Sequence, residues 1–292
     1  MLVDRNNLQG IYRSFSTIFG QAFAGAPSQC DTVAMRTPSS ARSNDYKWLG
    51  SYPVMKEWIG DRMIKDLSAF HFEIVNKDFE STVELDRNDI EDDQIGVYTP
   101  TLQGLGQAAK QHPDMLVFSL LKDGFATPCY DRQYFFDSDH PVGTKSVSNT
   151  GGGSGDPWFL MDLSRPLKPV ILQIRKKPKF VAMDKPDDEN VFTRKKFRYG
   201  VDDRKNVGFG LWQLSYGSRD TLDSANYAAA RAAMMAFTND EGIPLGINPT
   251  HLVVPPSLER AGRKLLKVDK TEGGAGNEWH ESAELIAVPW LA

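Results

Sequence analysis

Phe70-His71-Phe72-Glu73-Ile74-Val75-Asn76-Lys77-Asp78-Phe79-Glu80-Ser81-Thr82-Val83-Glu84-Leu85 runs directly into Asp86-Arg87-Asn88-Asp89-Ile90-Glu91-Asp92-Asp93, and this junction sets the architecture of the 292-residue chain. Phe70, Phe72 and Ile74 alternate with polar residues, and Phe79, Ser81, Val83 and Leu85 take alternate positions again. A period of two marks strands, and Asn76-Lys77-Asp78 between them predicts a turn, hence a β-hairpin. Past Leu85 the period lengthens. Asp86 or Asn88 can cap a helix, and Glu91, Asp92 and Asp93 suit the positive end of its dipole. Leu102, Leu105, Ala108, Ala109, Met115, Leu116 and Leu120 continue a helical stripe as far as Gly124. A region of roughly 30 residues is long beside the ~11–12 of a mean helix. Pro100 and Pro113 lack a backbone donor, which predicts kinks or breaks near Thr99 and His112.

Upstream, Leu8, Ile11, Tyr12, Phe15, Ile18, Phe19 and Phe23 form a strongly aromatic helical stripe, stopped by Gly25 and Pro27. Pro27 to Lys47 reads as an irregular arm, because ~20 residues without regular structure are unusual inside a compact domain. Such an arm has little local core. Phe15, Phe19, Trp48 and Trp58 are therefore expected to be covered by neighbouring copies. Downstream, Gly151 to Gly155 reads as a flexible loop, and Trp158 to Val181 and Val207 to Leu214 as strands. Thr221 or Asp223 caps a helix to Phe237. Leu252 to Val254 is a short buried strand, Ser257 caps a helix to Leu266, and Ala283 to Trp290 is a terminal strand. The fold class is α+β.

At ~150 residues per domain the length allows one large domain or two modest ones. With 40% hydrophobic and 25% charged residues, the chain is neither disordered nor a coiled-coil rod. A net charge of −4 gives no bulk case for tight nucleic-acid binding. That total conceals two opposed blocks. Residues 81–140 carry 4 basic and 11 acidic side chains, and residues 141–210 carry 14 basic and 8 acidic. The acidic block centres on Asp86 to Asp93, the basic one on Arg175 to Lys179 and Arg194 to Arg198. They can attract each other within a subunit or between copies. The intersubunit version predicts contact of Asp89, Glu91, Asp92 and Asp93 with Arg194, Lys195, Lys196 and Arg198 of a neighbour. Two cysteines, Cys30 and Cys129, fit reduced thiols. No apolar run approaches the ~18 residues of a membrane span, and Asp4, Ser14, Ser16 and Gly20 argue against a signal peptide.

The densest chemical cluster is Cys129 to Pro141. Asp137, Asp139 and His140 are candidate ligands for a hard metal ion in a metal-dependent enzyme, and Cys129 a candidate nucleophile. The calcium-loop glycine and late glutamate are missing, and no second His or Cys sits at zinc spacing, so a structural loop is favoured. His280-Glu281 lacks the second zincin histidine. Gly151 to Gly155 lacks the P-loop lysine. No catalytic residue, metal site or cofactor emerges.

The order of arm, hairpin, long helix and mixed block resembles the HK-97-type phage capsid fold, shared with herpesviruses. The residues sharpen this. Phe19-Gly20-Gln21-Ala22-Phe23, Tyr46-Lys47-Trp48-Leu49-Gly50, Glu57-Trp58-Ile59-Gly60-Asp61-Arg62, Lys77 to Glu84, Asp89 to Asp93, Phe135-Phe136-Asp137-Ser138-Asp139-His140-Pro141 and Leu252-Val253-Val254-Pro255-Pro256 resemble the major head subunit family of phage Mu and its prophage relatives. The resemblance implies a non-enzymatic virion capsid protein, assembled in the bacterial host cytoplasm. Its hexamers and pentamers would form an icosahedral shell around double-stranded DNA held non-specifically on the inner face. It implies a separate scaffolding protein, a portal and no membrane partner. The expected divisions are 1–47 (N-terminal helix and arm), 48–85 (extended loop with β-hairpin), 86–142 (peripheral domain with spine helix) and 143–292 (apical domain with returning peripheral-domain strands). An encapsulin-like cargo compartment is the alternative with the same architecture.

Overall fold

The computed structural model describes residues 4–50, 71–185, 187–270 and 273–292. Asp4 caps α1 (Arg5–Gly25) by accepting from the Asn7 amide at 2.8 Å. Leu8, Ile11, Phe15 and Phe19 fall on its buried face. The arm that follows is not irregular. It forms α2 (Cys30–Val33), β1 (Ala34–Pro38) and β2 (Ser43–Asp45). Cys30, Val33, Tyr46 and Leu49 enter the chain's own core, so the arm lies on its own subunit. Asp114, inside the long helix, holds it there by accepting from Ser28 Oγ at 2.7 Å, the Gln29 amide at 3.1 Å and the Cys30 amide at 2.8 Å.

The expected hairpin at 70–85 is corrected. Both strands exist, β3 (Glu73–Val75) and β4 (Lys77–Asp86), but they do not pair with each other. β3 pairs with β2, Ser43 facing Val75, while β4 enters a different sheet. Asn76 is the crossing point rather than a turn residue. Its side-chain amide donates to Ser39 Oγ and to the Ala41 and Arg42 carbonyls, and accepts from Gln173 Nε2 at 2.9 Å. One amide thus satisfies the polar groups of three segments where the chain changes sheets. The remainder of the extended loop, with Trp58, lies outside the described residues.

Asp86 caps α3 (Arg87–Glu91) through the Asn88 amide. A 3-10 turn at Ile95–Tyr98 leads into α4 (Thr99–Lys122). The break before Thr99 follows the expectation. Pro100 sits in the first turn of α4, where a missing donor costs nothing. No break occurs at His112, because α4 runs through Pro113. Further strands are β5 (His140–Val142), β6 (Lys145–Val147), β7 (Thr150–Gly153), β8 (Trp158–Met161) and β9 (Val170–Met183). They are followed by α5 (Glu189–Arg194), β10 (Lys196–Phe209), β11 (Ser215–Arg219), α6 (Ser224–Met235), β12 (His251–Val254), α7 (Glu259–Leu266) and β13 (Glu284–Ala287). Of the stretch Gly151 to Gly155, expected as a flexible loop, the first three residues instead belong to the edge strand β7. A Cβ at Gly153, whose φ is +85°, would stand 2.3 Å from the backbone of Arg219 and Asp220.

Two sheets organise the molecule. One has the order β1-β9-β10-β4, with β1 parallel to β9 and the other pairs antiparallel. The other has the order β13-β12-β8-β11-β7. The larger core surrounds the five-stranded sheet and includes Val117, Phe118 and Leu121 of α4. The second core lies between α1, α4 and the far half of the four-stranded sheet, and contains Phe15, Phe19, Leu102, Leu105, Phe180, Phe197 and Tyr199. The two long helices approach closely at Gly106, where a Cβ would stand 2.6 Å from the Phe19 carbonyl oxygen.

Candidate functional site

The register of β4 against β10 decides where the opposed charge blocks go. Lys196 faces Asp86, Arg198 faces Glu84 and Arg204 faces Asp78. Cross-strand neighbours share a face, so these side chains pair within the subunit: Lys196 Nζ–Asp86 Oδ2 at 2.9 Å, Arg198 Nε–Glu84 Oε1 at 2.7 Å and Arg204 Nε–Asp78 Oδ1 at 3.4 Å. Lys176 pairs with Asp202 one strand further in. The hydrogen bond to Lys196 holds the Asp86 carboxyl below the usual carboxylate range, and the same bond raises the Lys196 ammonium. Much of the attraction expected between copies is therefore spent inside one copy.

The candidate contact residues divide accordingly. Phe15 and Phe19 need no neighbour, since they are 1% and 7% exposed. Phe15 meets the edge of Tyr199 at 5.0 Å and Phe19 packs on Phe180 at 5.2 Å. The stripe expected to face another copy faces the chain's own sheet. Trp48 is half-buried, edge-on to Tyr46 at 6.4 Å. Asp89 accepts from the Tyr98 hydroxyl, and Glu91 pairs with Arg87 at 2.8 Å. Lys196 and Arg198 are used in the ladder. Asp92, Asp93, Arg194 and Lys195 are exposed and make no ion pair among the described residues. These four lie at one corner of the molecule, where the Arg87 amide of α3 donates to the Lys195 carbonyl beside α5 at 2.9 Å.

The Cys129 to Pro141 segment resolves differently from its expectation. His140 is fully buried, stacked on Trp212 at 4.1 Å. Its Nδ1 lies 2.7 Å from Asp131 Oδ2, and its Nε2 lies 3.2 Å from Asn149 Oδ1. Asp131 Oδ1 accepts from Cys129 Sγ at 3.1 Å and from the Gln133 amide at 3.1 Å. Asn149 Nδ2 donates to the Phe135 and Ser215 carbonyls, which ties the segment to β11. Cys129, Asp131 and His140 are close enough together to ligate an ion, but their donor atoms are already committed to one another. Asp137 instead closes its own loop, accepting from the Tyr134 and Ser138 amides. Asp139 is exposed. The metal set expected at Asp137, Asp139 and His140 does not converge. Burial pushes the Cys129 thiol well up, and a thiol that stays protonated is a poor nucleophile. Burial also pushes Cys30 up, to about 12. For Asp131, burial opposes the charge, yet the bond and charge of His140 outweigh it, and its pKa lies below the ordinary carboxylate value. Asp131 and Asn149 went unrecognised from sequence. Asp131 sits nine residues before His140 in a bulged loop, and no regular period links the two.

The arm, the long helix and two interleaved sheets define an α+β capsid fold. The chain superposes on the subunit of the bacteriophage JBD30 procapsid with a TM-score of 0.89 and 45% identity, over 99% of this chain and 100% of that one. Against the bacteriophage JBD30 capsid the TM-score is 0.80 and the identity 34%, over 94% of each chain. In sequence it is 40% identical to the major capsid protein of Escherichia phage Mu over the whole of both chains. It is 44% identical to the Mu-like prophage FluMu major head subunit of Haemophilus influenzae, over 89% of this chain and 88% of that protein. Residues 8–291 match the family described as Mu-like prophage major head subunit gpT. The chain belongs to that family, and it is a major capsid protein of the Mu-like type.

Proposed function

We propose that the chain acts without enzymatic activity, as hexamers and pentamers closing an icosahedral shell around double-stranded DNA. Assembly takes place in the bacterial host cytoplasm, on a separate scaffolding protein and with a portal. The observation that carries this reading is the similarity to the JBD30 procapsid subunit along nearly the full length of both chains. The charge is in keeping with it, since a net −4 gives the chain as a whole no bulk attraction that would hold DNA tightly and resist its release. So does the Cys129–Asp131–His140 network, whose donors and acceptors are used internally. Among the described residues no helix is long and apolar enough to cross a membrane. The chain expressed with a scaffolding protein is expected to form closed shells, seen by negative-stain microscopy and in the fast-sedimenting fraction. Persistent monomers under those conditions would overturn the proposal. Stoichiometric bound metal, lost together with a turnover on Cys129→Ala or His140→Ala, would favour an enzyme instead.

A further inference from the structure

The corner where α3 and α5 meet carries apolar surface that the subunit itself leaves bare. Phe192 is 85% exposed, the most exposed large apolar side chain among the described residues, and Val97 on the adjoining turn is 64% exposed. Phe192 does not stand on a loose loop. Its neighbour Val191 is buried in the second core. Asn190 Nδ2 donates to the Lys196 carbonyl at 2.6 Å and to the Met183 carbonyl at 3.4 Å. Lys195, in the left-handed region at φ +54°, closes the helix by donating to the Val191 carbonyl. A phenyl ring on a fixed backbone, pointing away from its own core, is a prepared contact for a partner.

The same corner offers a receiving surface. A hollow of about 370 Å³ is lined by Met183, Glu189, Asn190, Thr193, Arg194 and Arg198. Its lining is mostly polar, with Met183 the one apolar residue, and the guanidinium groups of Arg194 and Arg198 at its side can take the face of an aromatic ring. The charges left over from the ladder are of both signs. Asp92 and Asp93 stand on the α3 side, Arg194 and Lys195 on the α5 side. A surface with a knob, a hollow and opposite charges on its two flanks is complementary to a second copy of itself turned about a two-fold axis, the same patch meeting itself. Nucleic acid does not fit it, because the apolar ring and two carboxylates would face phosphate.

We propose that this corner is a contact between copies of the chain. Phe192 of each copy seats in the Met183 hollow of the other, and Asp92 and Asp93 of each face Arg194 and Lys195 of the other. The proposal rests on the shell function above. The test is assembly of the full-length chain with a scaffolding protein, read by sedimentation and microscopy, with thermal melting of the unassembled chain alongside. Phe192→Ser is expected to lower the assembled fraction at least about tenfold while the unassembled chain melts as before. Reversing Asp92 and Asp93 to Lys, or Arg194 and Lys195 to Glu, is expected to impair assembly. Combining the two reversals is expected to restore it. Wild-type shells accompanied by equally abundant F192S shells would overturn the corner contact. So would a combined reversal that assembles no better than its parents. Failure of the wild-type chain to form shells would count against the shell function itself. If F192S melts early, the charge reversals decide the question, since a folding defect cannot be rescued by a second reversal that leaves melting unchanged.

Discussion

Asp131 is the residue on which the buried loop network turns, because it accepts from three groups at once: the Cys129 thiol, the Gln133 amide and His140 Nδ1. Removing one partner from such a set leaves the others desolvated and unpaired. Asp131→Asn is therefore expected to destabilise the fold by about 3 kcal/mol in urea unfolding near neutral pH. The pH dependence follows from the direction of its shift. The folded carboxyl titrates below its unfolded value, so its contribution is complete above that value and is lost as pH falls through the folded one. Wild-type stability should fall more steeply than that of the Asn variant as pH drops below about 4. Parallel curves would remove Asp131 as the titrating group. At Gly106 the constraint is steric. A methyl there meets the Phe19 carbonyl oxygen at 2.6 Å, so Gly106→Ala should push α1 off α4 and cost about 1–3 kcal/mol despite its better helix propensity.

At the scale of elements, α2 and the two residues before it are hydrogen-bonded to α4 through the Asp114 side chain. Asp114→Ala would strand three donors, the Ser28 hydroxyl and the amides of Gln29 and Cys30, in a partly or fully buried setting. At ~1–3 kcal/mol for each unsatisfied buried group, a loss of at least about 3 kcal/mol is expected. Limited proteolysis should then open the chain between Ala26 and Val33 before global unfolding. Protection there equal to wild type would show that the arm is held by its apolar contacts instead. The ladder between β4 and β10 carries less, since exposed pairs contribute little each. Lys196→Glu is expected to lower the melting temperature slightly by facing Asp86 with a second carboxylate.

These elements were unequally legible in the sequence. The helices announce themselves, because Leu8, Ile11, Phe15 and Phe19 recur at a helical period and Asp4, Asp86 and Asp223 cap in the ordinary way. The strands at 73–75 and 77–86 were legible as strands, but their partners were not. Alternation fixes which face a residue takes and says nothing about which strand lies alongside. Nothing local reveals that Asn76 is a crossing held by Ser39 and Gln173. The basic run at Arg194 to Arg198 hid both the turn at Lys195 and the start of β10, since charged residues facing an acidic strand carry no apolar period. Phe192 was overlooked for the same reason, as one apolar residue in a polar stretch.

For the whole molecule the consequence lies in the interleaving. The four-stranded sheet takes residues 34–38, 77–86, 170–183 and 196–209, so segments from both halves of the chain complete each other. The five-stranded sheet is built wholly from residues beyond 149, yet its core is closed by Val117, Phe118 and Leu121 of α4 and by Phe135 and Phe136. A fragment of residues 143–292 would keep every strand of the second sheet while losing β1, β4, α1 and α4. Its β9–β10 hairpin would expose Phe180, Phe197 and Tyr199, which are buried in the intact chain. At ~1.5–3 kcal/mol for each large apolar side chain returned to water, the loss exceeds a typical stability margin of ~5–15 kcal/mol once the helix contacts of the first core are added. The isolated fragment is therefore expected to lack a cooperative thermal transition and to aggregate, whereas the intact chain unfolds cooperatively. A sharp, reversible transition in the fragment, with near-ultraviolet dichroism like that of the whole chain, would show that the second half is an autonomous domain and that the interleaving is only a docking of finished parts.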